Sequence, residues 1–336
     1  MGSKKVVKGI AFDSRVADFV ARMDSVGDYR ESLQRLQDVW DQLTLLGETS
    51  GIAADITATG NEFRSLTDTL LDALARRQLD NALRQLRGRS QVAIDLLVRN
   101  LFERTADVGF LAVDAAVRAH VQAHAAGRDA TALRAALEAR FRAYVAKYSV
   151  YDDVVVLSPD GEVLARLDGT CRATRCAHAL VRQSLQGEAA FVESFGALDL
   201  LDGRRGLVYS APIRGEAGGA PLGVLCLSFR FDDEMTRVFE QLAPSGLGTC
   251  VLTLLAADGA VLASSDPWQI PSGARLPCHP EQGDELRFAG REYLVVRTPA
   301  HPYQGYAGPG WQACALQPLD LAFRREDAAG GHGLLA

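Results

Sequence analysis

Before about residue 145 the chain contains no proline and no cysteine. The missing proline removes the strongest helix breaker from more than a third of the molecule. Long apolar runs are absent as well. The longest, such as 154–157, fall far short of the roughly 20 residues a membrane-spanning helix needs. Net basic charge is lacking too: the formal charge is −6, which disfavours a protein whose business is binding phosphate backbones. No G-x-S-x-G, P-loop or H-E-x-x-H motif occurs, and no glycine fingerprint sits between a strand and a helix, so the common hydrolase, nucleotide and metalloprotease classes find no support. In "MGSKKVVKGIAF" the apolar residues are interrupted by Lys8 and Gly9, which argues against a secretory signal and gives the expectation of a cytoplasmic protein.

The 336 residues suffice for two or more domains, and 48% hydrophobic with 23% charged residues is the composition of a globular chain. Leu33, Leu36, Trp40, Leu43 and Leu46 recur at helical spacing. So do Phe63, Leu66, Leu70 and Leu74, and then Leu79, Leu83, Leu86, Ser90, Ala93 and Leu97. Each set forms one apolar stripe. The stretch 61–103 reads as one helix with Gly88 as a weak point. A helix of that length needs a partner helix, from this chain or a second copy, and a homodimer through the N-terminal helices is the expectation. Further helices are expected at 115–124 and 131–147, with Asp129 as the N-cap of the latter.

From Tyr151 the texture changes to short β-branched and apolar runs broken by Gly, Pro and Asp. "YDDVVVL" and "EVLARL" flank "SPDG", a hairpin signal. "CAHALVRQSLQG" reads as helix, while "AFVESF", "RGLVYSAPIR" and "PLGVLCLSFRF" read as strands. "DDEMTRVFEQL" returns to helix with Asp232 placed to cap it. The order then starts again with "TCVLTLL", "ADG" and "AVLASSD", followed by "DELRFAG", "REYLVVRTP" and "GWQACALQPL".

At an offset of 98 residues, Leu157, Asp160, Gly161, Val163, Leu164, Ala165 and Asp168 meet identical residues at Leu255, Asp258, Gly259, Val261, Leu262, Ala263 and Asp266. A second block matches at an offset of 87, pairing Val208 with Val295, Pro212 with Pro299 and Gly223 with Gly310. Asp-Gly hairpins are common, but two blocks in the same order indicate one small module with a mostly antiparallel sheet, used twice. The fold class expected is α+β: long N-terminal helices followed by two tandem PAS-like modules. The divisions expected are a helical region at 1–60, a long helix and helical cap at 61–147, modules at 148–242 and 243–325, and a tail at 326–336.

A long helix feeding two modules, each opening on "VVVLSPDGEVLA" or "LTLLAADGAVLA", resembles the double Cache family of sensory domains. "NLFERTADVGFLAVD" and "YQGYAGPGW" resemble the cytosolic Cache proteins linked to bacterial chemotaxis machinery. The resemblance covers roughly residues 46–323. It implies a small-molecule receptor in signal transduction whose first module binds a metabolite, with chemotaxis signalling proteins as partners and neither nucleic acid nor membrane among them. In that family an output domain normally follows. Here the chain stops at "GGHGLLA", so output is expected from a partner or from further chain.

A pocket over the first module's sheet would be lined by polar or aromatic residues on or beside its strands, namely Tyr148, Tyr151, Asp152, Arg166, Asp168, Tyr209, Ser228 and Arg230. Strict alternation puts Asp152, Val154 and Val156 on one face and Tyr151, Asp153 and Val155 on the other. Arg166 and Arg230 have the chemistry to clamp a carboxylate, and Asp152 or Asp168 to pair an amine. Each is equally the kind of residue that forms an ordinary surface pair. The resemblance also implies that amino-acid receptors of the family carry an arginine followed by a Trp-Tyr pair after the first hairpin. "DGTCRATRCAHALVRQ" stands there instead, which leaves an α-amino acid ligand unsupported. Cys171, Cys176 and His178, with Cys278 and His279, invite a metal reading. The spacing matches no zinc pattern, however, and two arginines oppose a cation, so no metal or cofactor is expected. The six uneven cysteines read as reduced thiols, with Cys226 and Cys314 buried in strands. The alternatives to a sensor are an enzyme on a PAS-like scaffold and a structural helical adaptor without ligand.

Overall fold

The computed structural model describes residues 3–50, 54–215, 219–243, 250–277 and 283–324. Cys278, His279 and the tail from residue 326 lie outside them. A hairpin comes first, β1 (Lys4–Val7) and β2 (Ile10–Asp13), followed by the short α1 (Ser14–Ala17). Lys8 and Gly9, read above only as interruptions, form its turn with φ of 49° and 85°, the positive values that a two-residue hairpin turn requires. Helix α2 (Asp24–Thr49) and helix α3 (Ala54–Ala112) follow. The longer of the two runs 59 residues, well past both ends expected from the apolar stripe. It passes through Gly88 unbroken, because a weak propensity at one exposed position is outweighed by the good formers around it.

Helices α4 (Ala115–Ala125) and α5 (Thr131–Lys147) lead into the first sheet. Asp129 accepts from the Thr131 N–H at 3.0 Å and from its hydroxyl, although the residue at the N-cap position is Ala130. The sheet contains β3 (Tyr151–Leu157), β4 (Val163–Arg166), β5 (Val192–Ala197), β6 (Arg205–Arg214) and β7 (Pro221–Phe229), in the order β4-β3-β7-β6-β5. Helix α6 (Ala179–Gln186) lies between β4 and β5 in the chain, and α7 (Phe231–Leu242) follows β7. Asp232 does not cap α7. That helix starts one residue earlier, with Arg230 at the N-cap, and Asp232 lies inside its first turn, where a carboxylate favours the helix dipole.

The second sheet has β8 (Val251–Leu255), β9 (Val261–Ser264), β10 (Glu285–Phe288), β11 (Arg291–Pro299) and β12 (Gln312–Pro318), closed by α8 (Leu319–Ala322). Its order, β9-β8-β12-β11-β10, repeats the first. The hairpins share their backbone bonds. Ser158 N–H donates to the Glu162 carbonyl and Ala256 N–H to that of Ala260, both at 2.9 Å. Cys176 N–H reaches the Gly161 carbonyl and Leu276 N–H that of Gly259. Arg175 and Arg275 each donate to the carbonyl of the hairpin aspartate, Asp160 or Asp258. The repeated sequence therefore codes a repeated structure.

The chain divides into two compact units. One comprises Met1–Val92, Ser245–Thr298 and Ala313–Ala336, and holds the second sheet. The other comprises Ala93–Pro244 and Pro299–Gln312, and holds the first. The unit of the first sheet thus includes the loop between β11 and β12, a segment contributed from far along the chain. In the unit of the second sheet, α2 runs beside the early part of α3, with Gln78 donating to Ser25 and Arg64 3.7 Å from Asp41. Each sheet has its own apolar layer. In the first, Val155, Leu157, Val208, Val224 and Cys226 pack under Leu180 and Val181 of α6. In the second, Leu255, Val261, Val295, Cys314 and Leu316 pack with Ile270 and Leu276.

Candidate functional site

Strand β3 does not follow strict alternation. Tyr151 pairs with Phe229 and Asp153 with Ser228, so Asp152 is an extra residue in a bulge. The bulge reverses the side chain of Tyr151 relative to the expectation. Tyr151 joins the face of Val154 and Val156, where its hydroxyl donates to Asp107 on α3, its ring lies 6.2 Å from Tyr144 on α5, and Arg104 sits 5.4 Å above it. Asp153, Val155 and Leu157 face α6.

That second face carries a buried ion pair. Arg166 Nε donates to Asp153 Oδ2 at 2.8 Å, with side-chain exposures of 7% and 3%. The rest of the guanidinium donates to the Ala173 carbonyl at 3.0 Å and the Leu200 carbonyl at 2.5 Å. The other oxygen of Asp153 accepts from the Asp168 N–H at 2.9 Å. Burial pushes the Asp153 carboxyl up to about 6 against the pull of the Asp168 N–H and of Arg166. Arg166 is thus spent on internal partners, pinning the segment after β4 to the sheet.

Beside this pair, at the ends of β3 and β7 and the start of β6, lies a cleft of about 430 Å³. It brings together Asp152, Asp168, Ser228 and Arg230 of the expected residues. It adds Cys171, considered above only for a metal, and Asp153, Arg204, Arg205, Phe231 and Asp233, which the sequence reading did not offer as ligand contacts. Arg204 and Arg205 sit where a loop meets β6, and only the fold places them opposite Asp152. Arg230 Nε donates to Asp152 Oδ1 at 3.1 Å, and Nη2 to the Tyr151 carbonyl at 3.2 Å. Burial raises the Asp152 carboxyl, with Arg230 opposing. Asp168 accepts from the Thr170 N–H and hydroxyl, and its carboxyl is held below the usual range: burial acts upward, and the Thr170 bonds with Arg166 and Arg204 more than offset it. The site offers both signs of charge, a buried hydroxyl and an aromatic wall. It suits a small polar or zwitterionic molecule.

Tyr148 and Tyr209 lie elsewhere. Tyr148 is exposed and packs 4.9 Å from Tyr144. Tyr209, fully buried on the other face, donates to Glu193 Oε1 at 2.9 Å, and Tyr306 from the 299–312 loop donates to the same carboxylate. Burial raises the Glu193 carboxyl, opposed only by these two phenols.

Beneath α6 the layer is filled by Leu157, Val181, Leu198, Val208 and Val224, with Ser184 and Ser210 hydroxyls 2.8 Å apart. Among the described residues no group of three His, Cys, Asp or Glu is placed to hold a metal. Cys171 donates to the Leu200 carbonyl, Cys176 to Asp199, and His178 accepts from Leu180 N–H as the N-cap of α6.

Solved structures share this architecture. The sensor domain of the V. cholerae histidine kinase DctB superposes with a TM-score of 0.50 at 15% identity, over 72% of this chain and 98% of that one. The ligand-binding domain of the Pseudomonas fluorescens chemoreceptor CtaA, solved with L-leucine, gives 0.51 at 15% identity, over 73% and 98%. This is a double Cache fold. No family model and no curated protein matches the sequence. The double Cache architecture is shared here with sensor and receptor domains.

Proposed function

We propose that the chain is a ligand-sensing module of a bacterial signalling protein that binds a small metabolite in the cleft at the strand ends of the first sheet. The observation that carries this reading is the cleft's convergence of Asp152, Asp168, Ser228, Arg204 and Arg230 on a double Cache fold. Tyr148, Tyr151, Tyr209 and Arg166 of the residues first considered do not line this cleft. A ligand that prefers one arrangement of sheet and helix shifts the population by its differential affinity, without covalent chemistry. Chemotaxis signalling proteins are the partners proposed, in keeping with the receptor and kinase neighbours.

The proposed setting is the cytoplasm. Cys171, Cys176, Cys226 and Cys250 are free thiols, and no helix among the described residues is long and apolar enough to cross a membrane. The proposed assembly is a homodimer. Leu36, Val39, Leu43 and Leu46 on α2 are exposed at three- and four-residue spacing, and Leu66 and Leu70 on α3 are exposed likewise.

The test is a thermal-unfolding screen against metabolites, repeated with Arg230→Ala and Asp168→Ala. A ligand at 100 times its Kd stabilises the chain by about 2.7 kcal/mol, and both substitutions abolish the shift. A shift that survives both places the ligand elsewhere, and turnover of a bound compound would favour the enzyme alternative. A library that never moves the midpoint would favour the helical adaptor.

A further inference from the structure

One wall of the cleft is shared with an aromatic cluster that continues into the backbone of the second sheet. Phe231 lines the cleft and is 4% exposed. Its ring lies 5.5 Å from Trp311 and 5.1 Å from Phe195, and Phe195 lies 5.0 Å from Trp311, all three pairs edge to face. Arg205, also on the cleft wall, covers Phe195 at 5.5 Å. Trp311 is the residue just before β12, which is hydrogen-bonded to β8 in the second sheet. Its carbonyl accepts from Ala300 N–H at 3.2 Å, tying the two ends of the loop together. Tyr303 meets Phe102 edge to face at 5.3 Å, and Tyr306 holds Glu193.

We infer that the loop 300–311 transmits the state of the cleft to the second sheet, with Trp311 as the residue that reads it. The inference rests on the cleft being the ligand site. Close-packed rings in edge-to-face contact switch between discrete arrangements and do not yield smoothly. A ligand that displaces Phe231 or draws Arg205 off Phe195 therefore forces Trp311 to repack. One peptide bond separates Trp311 from β12, so the strand register next to β8 feels that repacking. Tyr303 and Tyr306 hold the rest of the loop to the first module, which confines the movement to the Trp311 end.

Amide hydrogen exchange on the full chain without ligand tests the coupling, in Phe231→Ala, Trp311→Ala and the double variant, read at the β8 amides 251–255. Each single substitution is expected to speed exchange there about fivefold, with no further gain in the double, because the two residues act through one contact. Leu180→Ala, which loosens the same unit beneath α6 without touching Trp311, leaves β8 unchanged. Acceleration confined to 93–244 and 300–313, or an equal effect from Leu180→Ala, overturns the inference. Should Trp311→Ala fail to fold, Trp311→Phe with Phe231→Leu gives the same comparison. With no ligand present, a cleft that binds nothing leaves this result standing. A bound ligand with unaltered β8 exchange, by contrast, removes the coupling and keeps the sensor.

Discussion

The two sheets have the same strand order and share their backbone hairpin bonds, yet one pair of positions sets their interiors apart. Strand pairing sets Val155 opposite Arg166 in the first sheet and Thr253 opposite Ser264 in the second. In that register Asp153 corresponds to Val251 and Arg166 to Ser264. Where the first module buries a carboxylate and a guanidinium, the second has a buried valine and a half-buried serine at the matching positions. Both modules keep the aspartate that follows, because Asp168 and Asp266 each accept the N–H two residues on and make the same turn. A common scaffold thus tolerates either a charged or an apolar interior. The charged version lies beside the cleft, which places the specialisation in the first module.

Removing one member of the buried pair should produce the largest effect. Asp153→Ala strands Arg166 without its carboxylate and is expected to cost about 3–5 kcal/mol in denaturant unfolding. The double variant Asp153→Val with Arg166→Ser installs the residues of the second module and should recover most of that loss. Failure to recover would mean that the two interiors are not interchangeable. A smaller difference is expected at the hairpin glycines. Gly161 and Gly259 have φ of 81° and 82°, so alanine strains either by about 1–3 kcal/mol. At Gly161 the Cys176 carbonyl lies 2.2 Å from the added Cβ, so Gly161→Ala also forces that carbonyl to shift. The smallest expected effect is one of pH. Glu193 has its carboxyl raised above the ordinary 4.5, so the folded chain holds a proton that the unfolded chain releases. Stability from this group is complete below that value and falls as pH rises through the higher folded value. Melting curves of Glu193→Gln should lack that decline, and an unchanged slope would show that Glu193 does not titrate in the folded state.

Much of this architecture was legible from residue order. The Asp-Gly hairpins, the strand sets and the long helix each have a local signal: turn residues with positive φ, alternation, or a proline-free apolar stripe. The N-terminal hairpin escaped because Lys8-Gly9 resembles an interruption until its strands are paired. The orientation of Tyr151 escaped because one bulged residue reverses parity, and nothing in "YDDVVVL" marks it. The cleft was half legible. Asp152, Asp168, Ser228 and Arg230 stand on strand ends, where a polar residue in an apolar run is conspicuous. Arg204, Arg205 and Phe231 sit on or beside the first residues of β6 and α7 and became neighbours only through long-range pairing. Arg166 was conspicuous for the same reason as Arg230, and a sequence does not reveal that its partner is a buried aspartate two strand positions away.

The contribution of 299–312 to the unit that otherwise spans 93–244 has a consequence for biosynthesis. A polypeptide emerging N-terminus first, at about 5–20 residues per second, exposes β3 to β7 several seconds before Tyr306 and Trp311 leave the ribosome. During that interval Glu193, Phe195 and Phe231 lack their late partners, so an abbreviated gene ending after α7 would encode a domain with an uncovered aromatic edge and an aggregation hazard.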